Sequence, residues 1–431
     1  MNDPLLPRKS ATELKYKNTR PVPVDAEALR IADEIVEDVR SRGEVAIIEH
    51  ATRLGDLQPG APLYFTGEEL NTAVEKIAPV ERDLIERTAQ RISDFAKAQL
   101  ASIREVEVPI PGGGARQVIS PVECAGCYAP GGRFPLPSSV LMTAVTARVA
   151  GVDQVWVASP KPTNISIAAA KIAGADGLIA AGGAQGIAAL AFGAGPLPAC
   201  DTVVGPGNRY VTAAKQLVSG SVAIDMLAGP SELTILADEI ANPATVAADL
   251  LAQAEHDPDA IPILVTTSKE LIDAVEKELR RRLPDLPTEK IARLALGNGC
   301  AVFAKTINEA VEVCDRLAPE HLELMVSAPM EVARRCRHYG ALFVGEYSAE
   351  VLGDYGAGPN HTLPTGGTAR HSGGLSVFDF LRIRTWLRID DIAGADQLIE
   401  DAEQFAKIEG LAGHAQSARQ RRVAVKKQPG R

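Results

Sequence analysis

This sequence predicts a doubly wound α/β fold, made of two parallel-sheet units and a helical C-terminal piece. The chain has 431 residues, which is too many for one ordinary hydrophobic core, so at least two units are expected. From about residue 138, short apolar segments alternate with helical patterns through brief connections. These segments are apolar throughout, as strands are when helices cover both faces of a parallel sheet.

The central region shows this alternation most clearly. Helices are predicted at 141–150, 165–173, 184–192 and 210–217. Strands are predicted between them, at 154–158, 177–180 and 202–204. The uncharged run 177–200 is long enough to suggest a membrane span, but its Gly and Pro residues would interrupt a spanning helix. We therefore interpret it as a strand, a turn and a helix.

A second α/β region surrounds the central one. Amphipathic helices are predicted before it at 26–42 and 80–99, and strands after it at 233–237 and 263–266. Asn242 and Pro243 form a helix cap followed by a proline at the first helical position, which starts a helix extending to about His256. Further helices are expected at 269–282, 307–317 and 330–339, and from about residue 390 the chain is expected to be helical.

The composition restricts the class of protein. A hydrophobic content of 46% with 23% charged residues is that of a globular protein in water, and no apolar leader stands near the N-terminus. The net charge of −10 argues against a nucleic-acid partner, since phosphate binding requires a basic surface. The six cysteines are scattered except for Cys124 and Cys127, which we interpret as small buried residues near a strand end. Reduced thiols without an export signal predict a cytoplasmic location.

Three glycine-rich turns follow predicted strands and precede helices. They begin at Tyr128, Gly182 and Gly205, and the last of them reads Gly-Pro-Gly-Asn-Arg-Tyr. The dinucleotide fingerprint Gly-x-Gly-x-x-Gly is missing, so each turn alone is weak evidence of nucleotide binding. Open parallel sheets bind ligands at the carboxyl ends of their strands, however. Three such turns on one edge leave nucleotide binding and plain structural turns equally open.

Two pairs of residues have the composition of reactive sites. Gln253 and His256 lie one helical turn apart and could share a metal ion, although a plain exposed helix face is the simpler explanation. Glu320 and His321, just before a predicted strand, offer two proton acceptors of different basicity. An ordinary exposed turn explains that second pair equally well.

The segment 353–361 contains too much Gly and Pro for a helix or a strand interior. It nevertheless carries Asp354, Asn360 and His361, and loops of this kind often build functional sites. Glu409 and His414 lie in the predicted helical tail, where ordinary surface positions explain them best. The remaining histidines have no supporting neighbours and receive no role; they are His50, His338 and His371.

Taken together in this order, these segments resemble the histidinol dehydrogenase family from about Tyr128 to His414. The most specific motifs are Gln-Ala-Glu-His-Asp at 253–257, Ala-Pro-Glu-His-Leu-Glu at 318–323, Gly-Asp-Tyr at 353–355, Asn-His-Thr-Leu-Pro-Thr at 360–365, and Glu-Gly-Leu at 409–411 followed by His414. Any one of these motifs could arise by chance. Their joint occurrence in sequence order is specific.

The resemblance implies zinc-dependent, NAD-linked oxidation of L-histidinol to L-histidine through a bound aldehyde. One zinc ion per subunit would be held by Gln253, His256, Asp354 and His414. Substrate contacts would come from these zinc ligands and from Ser231, His321, His361 and Glu409. NAD would be contacted by Tyr128, Gln185 and Asn208. Glu320 and His321 would be catalytic, with His321 accepting the alcohol proton and Glu320 activating water for attack on the aldehyde.

The resemblance also implies a homodimer whose C-terminal tail reaches the partner's active site, so that Glu409 and His414 act in trans. The implied domains are an N-terminal arm at 1–23, a first α/β domain at 24–127 and 233–380, an inserted NAD-binding α/β domain at 128–232, and a helical C-terminal domain at 381–431.

Three other functions remain open from the sequence. Residues 133–135 also resemble relatives that oxidise sulfonated diols, which makes another alcohol the nearest alternative substrate. A zinc hydrolase is a second alternative, because a metal beside Glu320 could activate water for ester or amide cleavage. The glycine-rich turns count against that reaction. A non-catalytic binding protein would not require Glu320 beside His321.

Overall fold

Two six-stranded sheets and one three-stranded sheet organise the computed structural model, which describes residues 3–16, 24–131 and 134–426. The strands, in chain order, are β1 Arg8–Ser10, β2 Tyr64–Thr66, β3 Val106–Ile110, β4 Gly113–Pro121, β5 Cys124–Tyr128, β6 Gln154–Ala158, β7 Gly177–Ile179, β8 Thr202–Val204, β9 Ala223–Ile224, β10 Glu232–Ala237, β11 Ile261–Thr266, β12 Cys300–Phe303, β13 His321–Met325, β14 Ala341–Val344 and β15 Leu381–Ile389.

The α-helices connect and cover these strands. In chain order they are α1 Ala26–Arg42, α2 Glu44–Arg53, α3 Gly67–Lys76, α4 Pro79–Ser102, α5 Pro137–Ala150, α6 Asn164–Ile172, α7 Gly183–Phe192, α8 Arg209–Val218, α9 Pro243–Ala254, α10 Lys269–Arg282, α11 Glu289–Asn298, α12 Ile307–Leu317, α13 Pro329–Ala333, α14 Glu350–Asp354, α15 Asp396–Ile408 and α16 Ala412–Lys426. Short 3₁₀ segments occur at Glu13–Tyr16, Leu283–Asp285, Thr368–Arg370 and Val377–Phe380.

The first sheet has the strand order β2-β7-β6-β5-β8-β9. Strands β5 to β9 are parallel to one another, and β2 pairs with β7 in the antiparallel direction at the edge of the sheet. The order reverses between β5 and β8, because the chain first builds outward from β5 through β6 to β7 and then returns to the other side. This is the doubly wound arrangement, and the crevice beside the reversal is where such sheets bind ligands.

The second sheet, β1-β12-β11-β10-β13-β14, is parallel throughout. From β10 to β14 it repeats the strand order of the first sheet, with the reversal between β10 and β13. Buried aliphatic side chains cover both of its faces and form two hydrophobic clusters. The predicted fold class of two parallel-sheet regions is therefore confirmed.

The grouping of the chain around these sheets differs from the expected domains. We expected residues 24–127 to join residues 233–380, but β2 and β5 belong to the first sheet, and α1 packs against α7 and α8. A single cluster of buried residues joins Ile47 to Leu190 and Val211. The expectation was wrong because an amphipathic pattern shows that a helix buries one face, but not which sheet it covers.

The expected N-terminal arm is also part of a sheet. Residues Arg8–Ser10 form the edge strand β1, which pairs with Ala301–Phe303 of β12. Residues 1–2 and 17–23 lie outside the described part of the chain. By the clustering of contacts, Met1–Leu100 and Val122–Phe380 form one compact unit, and Ala101–Pro121 and Leu381–Arg431 form a second.

The second unit contains an antiparallel sheet of order β15-β4-β3 together with α15 and α16. Residues 381–431 were expected to be helical, but they begin with the strand Leu381–Ile389, whose whole length pairs with Gly113–Pro121. The helices that follow are present as expected. The strand escaped prediction because its pairing partner lies far away in the sequence.

One further helix was predicted wrongly. The helix expected at 330–339 ends at Ala333. The backbone amides of Arg337 and His338 instead donate to the Asp315 carboxylate, which stabilises an irregular turn before β14.

All six cysteines are buried thiols. None of the described helices has the length and hydropathy that a membrane crossing requires.

Candidate functional site

Most of the residues singled out from the sequence lie at the amino edge of the second sheet. His321 is the first residue of β13 and pairs in register with Leu233 of β10. Helix α9 follows β10 and returns to this edge, so that its C-terminal end brings Gln253 and His256 there. Ser231 immediately precedes β10, and its carbonyl accepts a hydrogen bond of 3.0 Å from the amide of Ile261. Parallel strands with returning helices therefore gather these distant residues.

The Asp354 carboxylate is the centre of this cluster. Its Oδ2 atom lies 3.7 Å from His256 Nε2, and its Oδ1 atom lies 4.0 Å from both His321 Nε2 and His361 Nδ1. One ligand atom from each of His256, Glu350 and Asp354 lies within 4.8 Å of the others, which is a spacing that can hold a metal ion. Glu350 was missed from the sequence, where a lone Glu at the start of a short helix looks like a surface residue.

Gln253 supports the same interpretation. Its side chain is completely buried, and neither its Oε1 nor its Nε2 atom has a hydrogen-bond partner among the described residues. A buried amide without partners costs free energy, on the order of 1–3 kcal/mol for each unpaired group. A ligand to Oε1 would remove part of that cost. Oxygen and imidazole nitrogen donors of this kind suit zinc.

His321 is held as a neutral base. Its Nδ1 atom lies 3.1 Å from the carbonyl oxygen of Glu232, and because a carbonyl can only accept, Nδ1 carries the proton. Its Nε2 atom is then an acceptor, and it has no hydrogen-bond partner among the described residues. Burial lowers the pKa of His321 to about 4. The ring is therefore uncharged at neutral pH and can accept a proton at Nε2.

Glu320 is buried beside it and is fixed by the backbone. Its Oε2 atom accepts a hydrogen bond of 2.9 Å from the amide of Glu232. Burial raises the pKa of Glu320 well above the usual value, and the neighbouring Glu232 and Asp354 raise it further. A bound cation would oppose this shift and favour the carboxylate.

Several other acids at this edge share that property. Burial raises the pKa of Glu232 to about 7 and that of Glu323 to about 8, and the pKa of Glu350 is also well above the usual range. So many buried carboxyls near one point either hold protons or require a cation. The electrostatics of the edge therefore agree with its geometry as a cation site.

Asp354 ends α14, and the loop that follows it and carries His361 is anchored by helices α4 and α5. Arg91 Nε on α4 donates to the carbonyl of Gly356 at 2.7 Å, and Asn360 Nδ2 donates to the carbonyl of Met142 on α5 at 2.8 Å. His361 Nδ1 lies 3.0 Å from the carbonyl of Asp354, and its Nε2 lies 3.3 Å from Ser139 Oγ. These contacts fix the loop although it has no regular secondary structure.

The glycine-rich turns lie together at the carboxyl edge of the first sheet, since they follow β5, β7 and β8. Tyr128 is buried, and its hydroxyl accepts a hydrogen bond of 3.1 Å from the amide of Gly183. Asn208 is the N-cap of α8, and its Oδ1 atom accepts from the amides of Tyr210 and Val211. Its Nδ2 group thus remains as a donor. Gly132 and Arg133 lie outside the described residues.

Gln185 is oriented by a residue that the sequence did not reveal. Its Nε2 atom donates to Asp56 Oδ2 at 2.7 Å, and the same oxygen accepts from the amide of Gly182 at 3.0 Å. The Oε1 atom of Gln185 is buried without a partner among the described residues. Asp56 thereby fixes Gln185 with its acceptor unused. A single Asp in the loop after α2 gives no signal of this role in the sequence.

Glu409 and His414 belong to the second unit. Glu409 is the C-cap residue of α15, and His414 lies in the first turn of α16. Both residues are exposed. Their assignment to the site stays a prediction from the resemblance.

The chain is similar over most of its length to one known protein family. Residues 18–422 match the sequence model of a family described as histidinol dehydrogenase. The histidinol dehydrogenase of Aquifex aeolicus is 43% identical over 95% of this chain and 96% of its own, and that of Thermus thermophilus is 45% identical over 90% and 93%. The crystal structure of histidinol dehydrogenase from Elizabethkingia anophelis superposes with a TM-score of 0.90 at 30% identity, covering 99% of this chain and 100% of that one.

Proposed function

Because the chain belongs to the histidinol dehydrogenase family, a family of oxidoreductases, we propose that it oxidises L-histidinol to L-histidine with zinc and NAD. The alcohol and NAD give the aldehyde, NADH and a proton. The aldehyde, water and a second NAD give the carboxylate, NADH and protons. This would be the last step of histidine biosynthesis, in the cytoplasm. The observation that carries the proposal is the convergence of His256, His321 and His361 on Asp354 within 4.0 Å.

The metal would be held by Gln253, His256 and Asp354 of one subunit, with His414 from its partner. The unpaired Gln253 amide and the surplus of buried carboxyls fit a cation at this point. Bound there, zinc supplies a positive charge that orients the amino and imidazole nitrogens of the substrate. Ser231, His361 and Glu409 would complete the substrate contacts.

His321 would act in the first oxidation. Its Nε2 atom accepts the proton of the substrate hydroxyl while a hydride leaves the carbon that carries this hydroxyl. The bond from Nδ1 to the Glu232 carbonyl keeps the ring in the tautomer that this step requires. The low pKa of the buried ring ensures that Nε2 is free of a proton before the step.

Glu320 would act in the second oxidation. Its carboxylate takes a proton from water, and the water oxygen adds to the aldehyde carbon. The resulting hydrate then loses the second hydride. The hydrogen bond from the Glu232 amide fixes one Glu320 oxygen, so that the other is available to the water.

NAD would bind at the carboxyl edge of the first sheet, in contact with Tyr128, Gln185 and Asn208, and there it serves as the hydride acceptor. The unused Oε1 of Gln185 and the Nδ2 group of Asn208 provide one acceptor and one donor.

The role of Asp56 gives a direct test. Asp56→Asn should weaken NAD binding by roughly tenfold, because the amide replaces a charged acceptor of two hydrogen bonds.

Calorimetric titration with NAD measures that effect. Asp153→Asn is the matched control, since Asp153 is exposed beside the opposite edge of the same sheet. Equal affinities of the two variants would remove Asp56 from the orientation of Gln185.

The proposed homodimer, in which each C-terminal tail would reach the partner's site, leads to another prediction. His414→Ala should retain zinc at least roughly tenfold less well, because one imidazole donor is lost. Atomic absorption after dialysis measures it, with Gln416→Ala on the same helix as control. Retention equal to that of the parent would exclude His414 as a ligand.

Subunit mixing tests whether His414 acts in trans. Dimers that pair His414→Ala with His321→Asn contain one intact site only if the tail serves the partner. Activity should therefore return when the two inactive variants are refolded together. If it stays absent in mixed dimers, the tail acts within its own subunit.

The decisive experiment on function is NADH formation from L-histidinol before and after chelation. We expect two NADH for each histidinol, and loss of activity when the metal is removed. A higher rate with a sulfonated diol would favour the alternative alcohol. Ester or amide hydrolysis without NAD binding would favour the zinc hydrolase and overturn the proposal.

A further inference from the structure

A buried ion pair, which the proposed reaction does not use, holds the loop after β8 in place. Lys215 lies on α8, and Asp225 directly follows β9. The ammonium of Lys215 contacts the carboxylate of Asp225, and the two side chains are 3% and 0% exposed. Charged side chains are seldom buried to this degree unless they are paired.

Both charged groups bind the same glycine. The Lys215 Nζ atom donates to the carbonyl of Gly205 at 3.0 Å. The amide of Gly205 donates to Asp225 Oδ2 at 2.8 Å. The other carboxylate oxygen, Oδ1, also accepts from the amide of Met226 at 2.7 Å. The ion pair therefore satisfies the donor and the acceptor of one backbone residue and sets its orientation.

Gly205 needs that constraint because of where it lies. Its φ of +120° is in the region that favours glycine, and a Cβ atom there would come within 2.0 Å of the carbonyl oxygen of Tyr128. The loop thus passes directly over the end of β5, beside the point where the strand order reverses. Tyr128 lies on one side of Gly205, and Asn208 follows it in the chain by three residues.

We propose that the Lys215–Asp225 pair positions the 205–208 loop for the dinucleotide, and is not merely a structural contact of the first sheet. This inference rests on the proposed use of NAD. Two apolar side chains of similar volume could fill the same space with equal or greater stability. They could not hold the donor and the acceptor of Gly205 at once, and the loop would then be free to move away from Tyr128.

Three variants test this role: Asp225→Asn, Lys215→Met and the double variant. Each single change leaves one buried charge without its partner, so both should lower the melting temperature and weaken NAD binding by roughly tenfold or more. The double variant removes both charges. It should recover most of the lost melting temperature while NAD binding stays weak. The KM for histidinol and the zinc content should match those of the parent in all three.

Asp176→Asn is the matched control. Like Asp225, Asp176 binds both a basic side chain, that of Arg148, and a backbone amide, that of Val155. These contacts lie at the opposite edge of the same sheet. Its NAD affinity should equal that of the parent.

The outcomes are distinct. NAD affinity that returns together with the melting temperature in the double variant would show that the pair is only structural and would overturn the inference. Parent-like NAD affinity in the single variants would do the same. If the parent protein itself fails to bind NAD in calorimetry, the proposed function fails and this inference fails with it. Should the single variants not fold, the double variant alone decides.

Discussion

Replacing Glu320 with Gln is expected to slow the second oxidation by roughly 10²- to 10⁴-fold while the first oxidation keeps most of its rate. The substituted amide can still accept the hydrogen bond from the Glu232 amide through its oxygen, so the local structure should persist. It cannot take a proton from water. Histidinaldehyde would then remain bound or be released instead of becoming histidine.

The two half-reactions are measured separately, with L-histidinol and with histidinaldehyde as the starting substrate. Glu312→Gln is the control, because it makes the same change from Glu to Gln on the exposed face of α12. Equal slowing of both steps in Glu320→Gln would contradict the division of roles between Glu320 and His321.

Asp354→Asn is expected to abolish stable metal binding, with affinity lowered by at least roughly 100-fold. The carboxylate lies within 4.0 Å of a ring nitrogen of each of three histidines, and an amide supplies a weaker oxygen donor without charge. Loss of the metal also leaves the surrounding carboxyls of high pKa without their counter-ion. The measurement is zinc content by atomic absorption after dialysis against a graded series of chelator concentrations.

Asp259→Asn serves as its control, because Asp259 is an exposed residue in the loop that follows α9. If Asp354→Asn keeps zinc as firmly as this control does, Asp354 is not a ligand. The cluster at the amino edge of the second sheet would then need another explanation.

The sequence was most informative where structure depends on neighbouring residues. The strands Gln154–Ala158 and Thr202–Val204 and the helices Ala26–Arg42 and Lys269–Arg282 have the predicted bounds, because their patterns are complete within each segment. Pairing between distant segments left no such pattern. The strands β3, β4 and β15 were therefore missed, and helix α1 was assigned to the wrong sheet.

The same limit applies to the candidate site. Glu320, His321 and Asp354 stand in unusual sequence surroundings and could be singled out. Glu350 and Asp56 could not, since each is an isolated acid whose meaning comes from burial and from partners in other parts of the chain. Residue type and spacing thus singled out candidate residues and the resemblance implied their roles, whereas the groups that contact them became visible only in three dimensions.

The order of strands along the chain also affects how the protein folds while it is being made. Strands β2 and β5 to β9 leave the ribosome before β10, so the first sheet can be completed early. Strand β1 is made before all of them, yet its partner Ala301–Phe303 emerges much later. In the meantime this strand could pair with a wrong edge. Its three residues include Arg8 and Lys9 and are exposed. Short, charged strands pair poorly with the edges of other sheets or other chains. We expect nascent chains stalled just after β9 to contain a protease-resistant first sheet behind a cleavable N-terminus.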